Sequence, residues 1–157
     1  MFFIILLSLS ECRSSHHRSK SSAKRSVIKE MKSKATVLEL NDPYIGIKEF
    51  SGNYNDLMNE IAESNKIAMI EVYSSWCVHC KSIEKNLSEI AQKYPSIFSL
   101  KINADTNGNL VKKMNINGYP HIRFVEIKGN IPIEKGVVLG DDINAIEQYY
   151  HLLSQQN

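Results

Sequence analysis

Residues 75–80 read SWCVHC, with Cys77 and Cys80 three positions apart behind the single tryptophan of the 157-residue chain, Trp76. Such a pair can serve as a metal clip, a structural crosslink or a dithiol that exchanges with other disulfides. Zinc asks for about four ligands, and only His79 stands nearby in the sequence. A structural bridge gains most from closing a long loop, whereas this one would close over Val78 and His79 alone. Exchange chemistry asks for a stabilised thiolate. A strand-to-helix turn would supply one, because Cys77 would meet free backbone N–H groups and the positive end of the helix dipole.

Glu71 stands six residues before Cys77 inside the apolar run KIAMIEVYS, residues 66–74. A lone acid in such a strand is costly unless something pairs with it or uses it. The plain placements are at a sheet edge or paired with Lys101.

The elements that must position these groups follow from hydrophobic periodicity. ATVLEL (35–40) alternates like a strand, and the Asn41-Asp42-Pro43 turn signal ends it. Leu57, Met58 and Ile61 recur at helical spacing within 53–65. Residues 66–74 are apolar on both faces, as a central strand is. The cysteine motif then opens a helix carrying Ile83, Leu87, Ile90 and Tyr94, which Pro95 stops. A strand is expected over 96–105 and a short helix over 107–115. HIRFVEI (121–127) and IPIEKGVVL (131–139), joined by Lys128-Gly129-Asn130, read as a hairpin. Asp141 and Asp142 favour the start of a last helix bearing Ile143, Ile146, Tyr149 and Tyr150.

With this element order, Trp76-Cys77, His79-Cys80, Glu71 and Gly118-Tyr119-Pro120 together resemble the active-site core of the thioredoxin superfamily. The likeness is closer to a protein disulfide isomerase domain than to thioredoxin, and it runs over about residues 35–153. It implies an α/β thioredoxin fold, a central mixed sheet flanked by helices. It implies Cys77 as the exposed nucleophile that forms mixed disulfides, Cys80 as the more buried resolving thiol, and a redox-active disulfide between them. Trp76 would shield and position the pair. Glu71 would move a proton to or from Cys80. Pro120 would be the family's cis-proline, leaving the Tyr119 backbone free to pair with an extended substrate. Val78 replaces the usual glycine and would narrow access to Cys77. His121 follows Pro120 where threonine is common, adding a titrating group. Asp141 and Asp142 follow Gly140 where the family often carries a reoxidation-assisting arginine.

The direction of electron flow depends on thiol acidity. Lowering a thiol pKa from about 8.5 to about 6 raises the thiolate fraction roughly thirtyfold at pH 7, while lost nucleophilicity cancels all but about twofold. The larger consequence is an easier leaving group, hence a more readily attacked disulfide. His79, when charged, pushes the pair toward oxidant and isomerase. The resemblance therefore implies a thiol–disulfide oxidoreductase, forming or rearranging disulfides in cysteine-containing polypeptides, with glutathione or another thiol–disulfide partner. It implies no cofactor beyond the thiols and no metal. The alternatives are a thioredoxin-type reductase and a redox-weak chaperone using residues 119–121 as a peptide platform.

One core-bearing domain fits the length. The formal charge of +2 conceals an asymmetry: residues 13–34 carry eight Lys/Arg against Glu30 alone, and from residue 35 onward fifteen acids outnumber eleven bases. The basic stretch, poor in apolar residues, reads as a mobile linker. Clustered charge alone would also suit a nucleic-acid or anionic-lipid arm, but no aromatic residue interleaves it, and no nucleic-acid partner is expected. MFFIILLSLS (1–10) is too short to span a bilayer and suits a secretory signal, though no base precedes it. Glu11 before Cys12 argues against a lipoprotein signal.

The expected organisation is a signal over 1–12, a linker over 13–34 and a domain over 35–157, placed in the secretory pathway, in the endoplasmic reticulum lumen or secreted. The ending HLLSQQN lacks a Lys-Asp-Glu-Leu type signal, so retention and secretion both stay open. The sequon at Asn86 sits in the motif helix and is expected to go unused.

Overall fold

The computed structural model describes residues 45–156. The expected signal, basic linker and strand at 35–40 lie outside them. The elements are β1 (Lys48–Phe50), α1 (Tyr54–Ser64), β2 (Ala68–Tyr73), α2 (Val78–Lys93), β3 (Phe98–Asn103), α3 (Gly108–Lys113), β4 (His121–Lys128), β5 (Ile131–Leu139) and α4 (Ile143–Ser154). Every expected element from residue 53 onward is present. β1 went unread because its three residues, Lys-Glu-Phe, are too few to show a period.

The sheet order is β1-β3-β2-β4-β5. β3 pairs in parallel with both β1 and β2, whereas β4 runs antiparallel to β2 and β5. β2 is thus central, as its continuous apolar character anticipates.

Side chains alternate across the sheet. Met69, Ile122, Phe124 and Val138 pack against Ile83, Leu87 and Ile90 of α2 and Ile146, Tyr150 and Leu153 of α4. Ile70, Val72, Leu100 and Ile102 face Leu57 and Ile61 of α1 and Leu110 and Val111 of α3. Phe124 stacks on Tyr149 at 5.3 Å and meets Tyr150 edge-on at 5.5 Å. The buried Tyr150 and Ser99 hydroxyls share a 2.8 Å hydrogen bond, and orphaning either would cost about 1–3 kcal/mol.

Local chemistry fixes the element ends. Asn53 caps α1, its side chain accepting from the N–H groups of Asn55 and Asp56 while the Asp56 carboxylate accepts from the Asn53 N–H. The β4–β5 turn places Gly129 at φ +55° and Asn130 at φ +66°, the left-handed pair that matches hairpin twist. On β5, a Cβ at Gly136 would collide with the Tyr149 ring, so a side chain there would displace that ring.

Candidate active site

β2 ends two residues before Ser75, and the chain turns through residues 74–76 into α2. Asp105, just beyond β3, braces this turn: its carboxylate accepts from Ser74 Oγ at 2.5 Å and from the Ser75 N–H at 2.8 Å. Those bonds, Ser74 first, hold the Asp105 carboxyl down at about 2, with the Trp76 side chain a lesser donor. Nothing in the residue spacing marks Asp105, which enters through the adjacency of β3 and β2.

Cys77 is the N-cap of α2, where its sulfur accepts from the Cys80 N–H at 3.1 Å. Cys77 and Cys80 are joined as a disulfide, their Cα atoms 5.3 Å apart. Cys80 is the more buried of the two, as expected, but the expected exposure of Cys77 is corrected here: Cys77 is 4% exposed and Cys80 1%. Both cysteines are buried as residues in the disulfide state, and the outward-facing side chains are their neighbours Trp76 and Val78. Trp76 meets Tyr119 edge-on at 6.1 Å. The Tyr119–Pro120 bond is cis, and the Pro120 carbonyl accepts from the Gly140 N–H at 3.0 Å.

His79 Nδ1 lies 2.7 Å from Asp141 Oδ2, with side chains 70% and 45% exposed. The imidazole, followed by backbone and lesser interactions, holds the Asp141 carboxyl below its ordinary value. Ser82 Oγ bridges the His79 carbonyl at 2.7 Å and Asp141 Oδ2 at 3.4 Å. Of the two acids expected to open α4, only Asp142 caps it, accepting from the Ala145 N–H at 3.0 Å. Asp141 instead turns to the motif histidine, a contact spanning 62 residues that the sequence does not advertise.

Glu71 is fully buried. It lies in the central strand, which excludes the edge placement. Alternation puts it on the Met69 face, toward α2. Neither carboxylate oxygen has a hydrogen-bond partner among the described residues. Desolvation pushes its carboxyl up to about 8; Lys101 opposes the shift and Glu84, one turn beyond Cys80, adds to it. Lys101 therefore acts through its field rather than as a hydrogen-bonded partner, and its ammonium sits 3.7 Å from Glu49 Oε2.

His121, the titrating group expected after Pro120, opens β4. It is in register with Val72, on the opposite sheet face from Glu71. Burial, then Arg123, lowers its imidazole pKa, and its Nε2 lies 3.3 Å from Arg123 Nη2. Among the described residues no group of three or more His, Cys, Asp or Glu is arranged to hold a metal. The same residues contain no helix long and apolar enough to cross a membrane.

This arrangement can do thiol–disulfide exchange. A helix N-terminus stabilises a Cys77 thiolate, and an acid able to hold a proton near neutral pH lies on the sheet face beneath. A thioredoxin family model matches residues 49–147. Over 83 residues the chain is 34% identical to a protein disulfide-isomerase of Schizosaccharomyces pombe, covering 51% of this chain and 23% of that one. It is 25% identical over 111 residues to thioredoxin H8 of Arabidopsis thaliana, covering 71% and 75% respectively. A solved thioredoxin from Trichomonas vaginalis superposes with a TM-score of 0.65 at 25% identity, covering 71% of this chain and 98% of that one. The match thus spans less than a quarter of the yeast isomerase and three quarters of the plant thioredoxin.

Proposed function

Because the chain belongs to the thioredoxin family, we propose that it is a thiol–disulfide oxidoreductase of the disulfide isomerase type, acting on cysteine-bearing polypeptides. The observation that carries this reading is the Cys77–Cys80 disulfide with Cys77 Sγ as the cap of α2. In the oxidising direction a substrate thiolate attacks Cys77 Sγ. The Cys77–Cys80 bond breaks, and Cys80 leaves as a thiolate that takes the Glu71 proton. A second substrate thiolate then displaces Cys77, which departs as a thiolate; the substrate is oxidised by two electrons and the enzyme pair reduced by two. In isomerisation, the reduced enzyme's Cys77 attacks a substrate disulfide, and another thiolate of that substrate resolves the intermediate with no net electron transfer. Glutathione or a similar thiol–disulfide couple resets the pair.

His79 between the cysteines supports the isomerase type, as a positive charge near Cys77 eases its departure. The thioredoxin-type reductase is the second reading, favoured by the Asp141 carboxylate that opposes the His79 charge at 2.7 Å. The two differ by about 90 mV, roughly 4 kcal/mol of relative disulfide stability. Equilibration with glutathione decides between them: a potential near −180 mV supports the isomerase type and one near −270 mV or below overturns it.

We further place the protein in the secretory pathway, on the strength of the apolar run at 1–10. A full-length Cys80→Ala chain expressed in secretory cells should accumulate mixed disulfides through Cys77. Secretory clients are expected; exclusively cytosolic clients would overturn the placement, and no mixed disulfide at all would favour the chaperone role.

A further inference from the structure

Glu49, Lys101 and Glu71 occupy matched positions on three adjacent strands. Glu49 is in register with Lys101 across β1 and β3, and Lys101 with Glu71 across β3 and β2. Matched positions put all three side chains on one sheet face. The row runs from an interior carboxyl without a hydrogen-bond partner among the described residues, through a lysine side chain 9% exposed, to a glutamate 53% exposed. Lys101 thus stands between two carboxylates. Its ammonium lies 3.7 Å from Glu49 Oε2, and Glu49 Oε1 in turn accepts from the Tyr73 hydroxyl at 3.2 Å. Tyr73 lies two residues beyond Glu71 on the same strand face, so it anchors Glu49 over the row.

We propose that Glu49 is a positioning residue: with the Tyr73 hydroxyl it holds the Lys101 ammonium toward the solvent side of the row, leaving Glu71 as the site's proton carrier. This rests on the exchange chemistry proposed above, in which Cys80 takes a proton from Glu71 as the disulfide opens. An ammonium closed onto Glu71 would keep that carboxyl ionised and empty of the proton it must give. A lysine drawn to the outer glutamate leaves desolvation in command, in keeping with a carboxyl pushed up to about 8. Among the described residues, the other groups coupled to Glu71 leave Lys101 as the cation of the set: Glu84 comes from α2, Tyr73 from its own strand and Tyr150 from α4. On β4 the register partner is the apolar Ile122.

The test is a carbon-13 NMR titration of the Glu71 side-chain carboxyl in wild type, Glu49→Gln, Lys101→Met and the double variant. Glu49→Gln should lower the Glu71 midpoint by roughly one unit or more, a tenfold loss of proton affinity. In the Lys101→Met background the same change should move it by less than about a third of a unit. Glu49→Asp, which keeps the charge, should restore most of the wild-type midpoint. A Glu49→Gln midpoint unchanged from wild type would overturn the proposal. So would an equal shift with and without Lys101, since that would be the direct field of the Glu49 charge. If Lys101→Met does not fold, Lys101→Gln takes its place. The titration reads Glu71 whether or not the protein exchanges disulfides, so a dead enzyme with the expected shifts would sink the functional reading alone.

Discussion

Two acid–base pairs flank the disulfide, one on each side of the active-site turn. On the outer rim His79 and Asp141 meet at 2.7 Å, with side chains 70% and 45% exposed. On the inner wall Glu71 and Lys101 lie in register without a hydrogen bond, and Glu71 is fully buried. By distance alone the rim pair is the stronger. Solvent reverses the ranking, because a pair near ε ≈ 80 interacts with a small fraction of the energy it has in a sheltered site, and exposed ion pairs typically contribute about 0–1 kcal/mol. The structure accordingly puts the large perturbation at the wall, where Glu71 is pushed up to about 8.

The largest expected effect therefore belongs to Glu71. Its native pKa lies above the unfolded one, so between about 4.5 and 8 the native state holds a proton that the unfolded chain has released. Stability must then fall as pH rises through that window. The full contribution is on the order of 4–5 kcal/mol, present below the lower limit and lost above the upper one. In Glu71→Gln that pH slope should vanish. Urea unfolding at pH 5 and pH 9 measures it, and a variant whose stability falls as steeply as wild type would put the ionising group elsewhere. The same variant should resolve mixed disulfides more slowly while keeping its fold.

An intermediate effect is expected at Asp105, whose bonds join the wall strand β3 to the turn that carries the rim. Asp105→Asn replaces an ionised acceptor with a neutral amide at Ser74 and Ser75. The turn loosens, and exchange should slow by roughly threefold to tenfold, the size that imprecise positioning commonly produces. The carboxyl is held down at about 2, so its stabilisation is present above its unfolded value and lost as pH falls through about 2. Stopped-flow exchange with a small disulfide at pH 7 measures the rate. A rate equal to wild type would mean that Ser74 and Ser75 hold the turn without it.

The candidate site residues were legible because their signal is local: a Cys-x-x-Cys behind Trp76, and an acid in an apolar run. Long periodic elements were legible for the same reason, since α1, α2 and α4 each repeat their apolar face over several turns. β1 was not, at three residues. Asp105, Asp141 and Glu49 were not, because each reaches the site through strand adjacency or a loop, at separations of 31, 62 and 24 residues from the partners they bind. An exposed Asp, Glu or Tyr on a sheet edge looks like ordinary solvated surface until the register is known. Cys77 was misjudged in a different way: its burial, 4% exposed, depends on the packing of the folded turn and not on the residue type.

The smallest effect should come from the rim pair, and it tests the comparison most directly. Asp141→Asn keeps an oxygen that can accept from His79 Nδ1, so the ring stays placed while the negative charge goes. With that charge removed, the Cys77 thiolate feels less repulsion, and attack on a disulfide should rise by no more than about threefold at physiological salt. The gain should grow in dilute buffer and fade toward 1 M salt, where the Debye length shrinks to about 3 Å. Measuring the exchange rate across that salt range separates the two regions of the site, because the Glu71 titration midpoint, sheltered by the sheet, should stay nearly constant over the same range. A salt-insensitive change of tenfold at Asp141 would show that the rim pair is screened as little as the wall, and the ranking by solvent exposure would then fail.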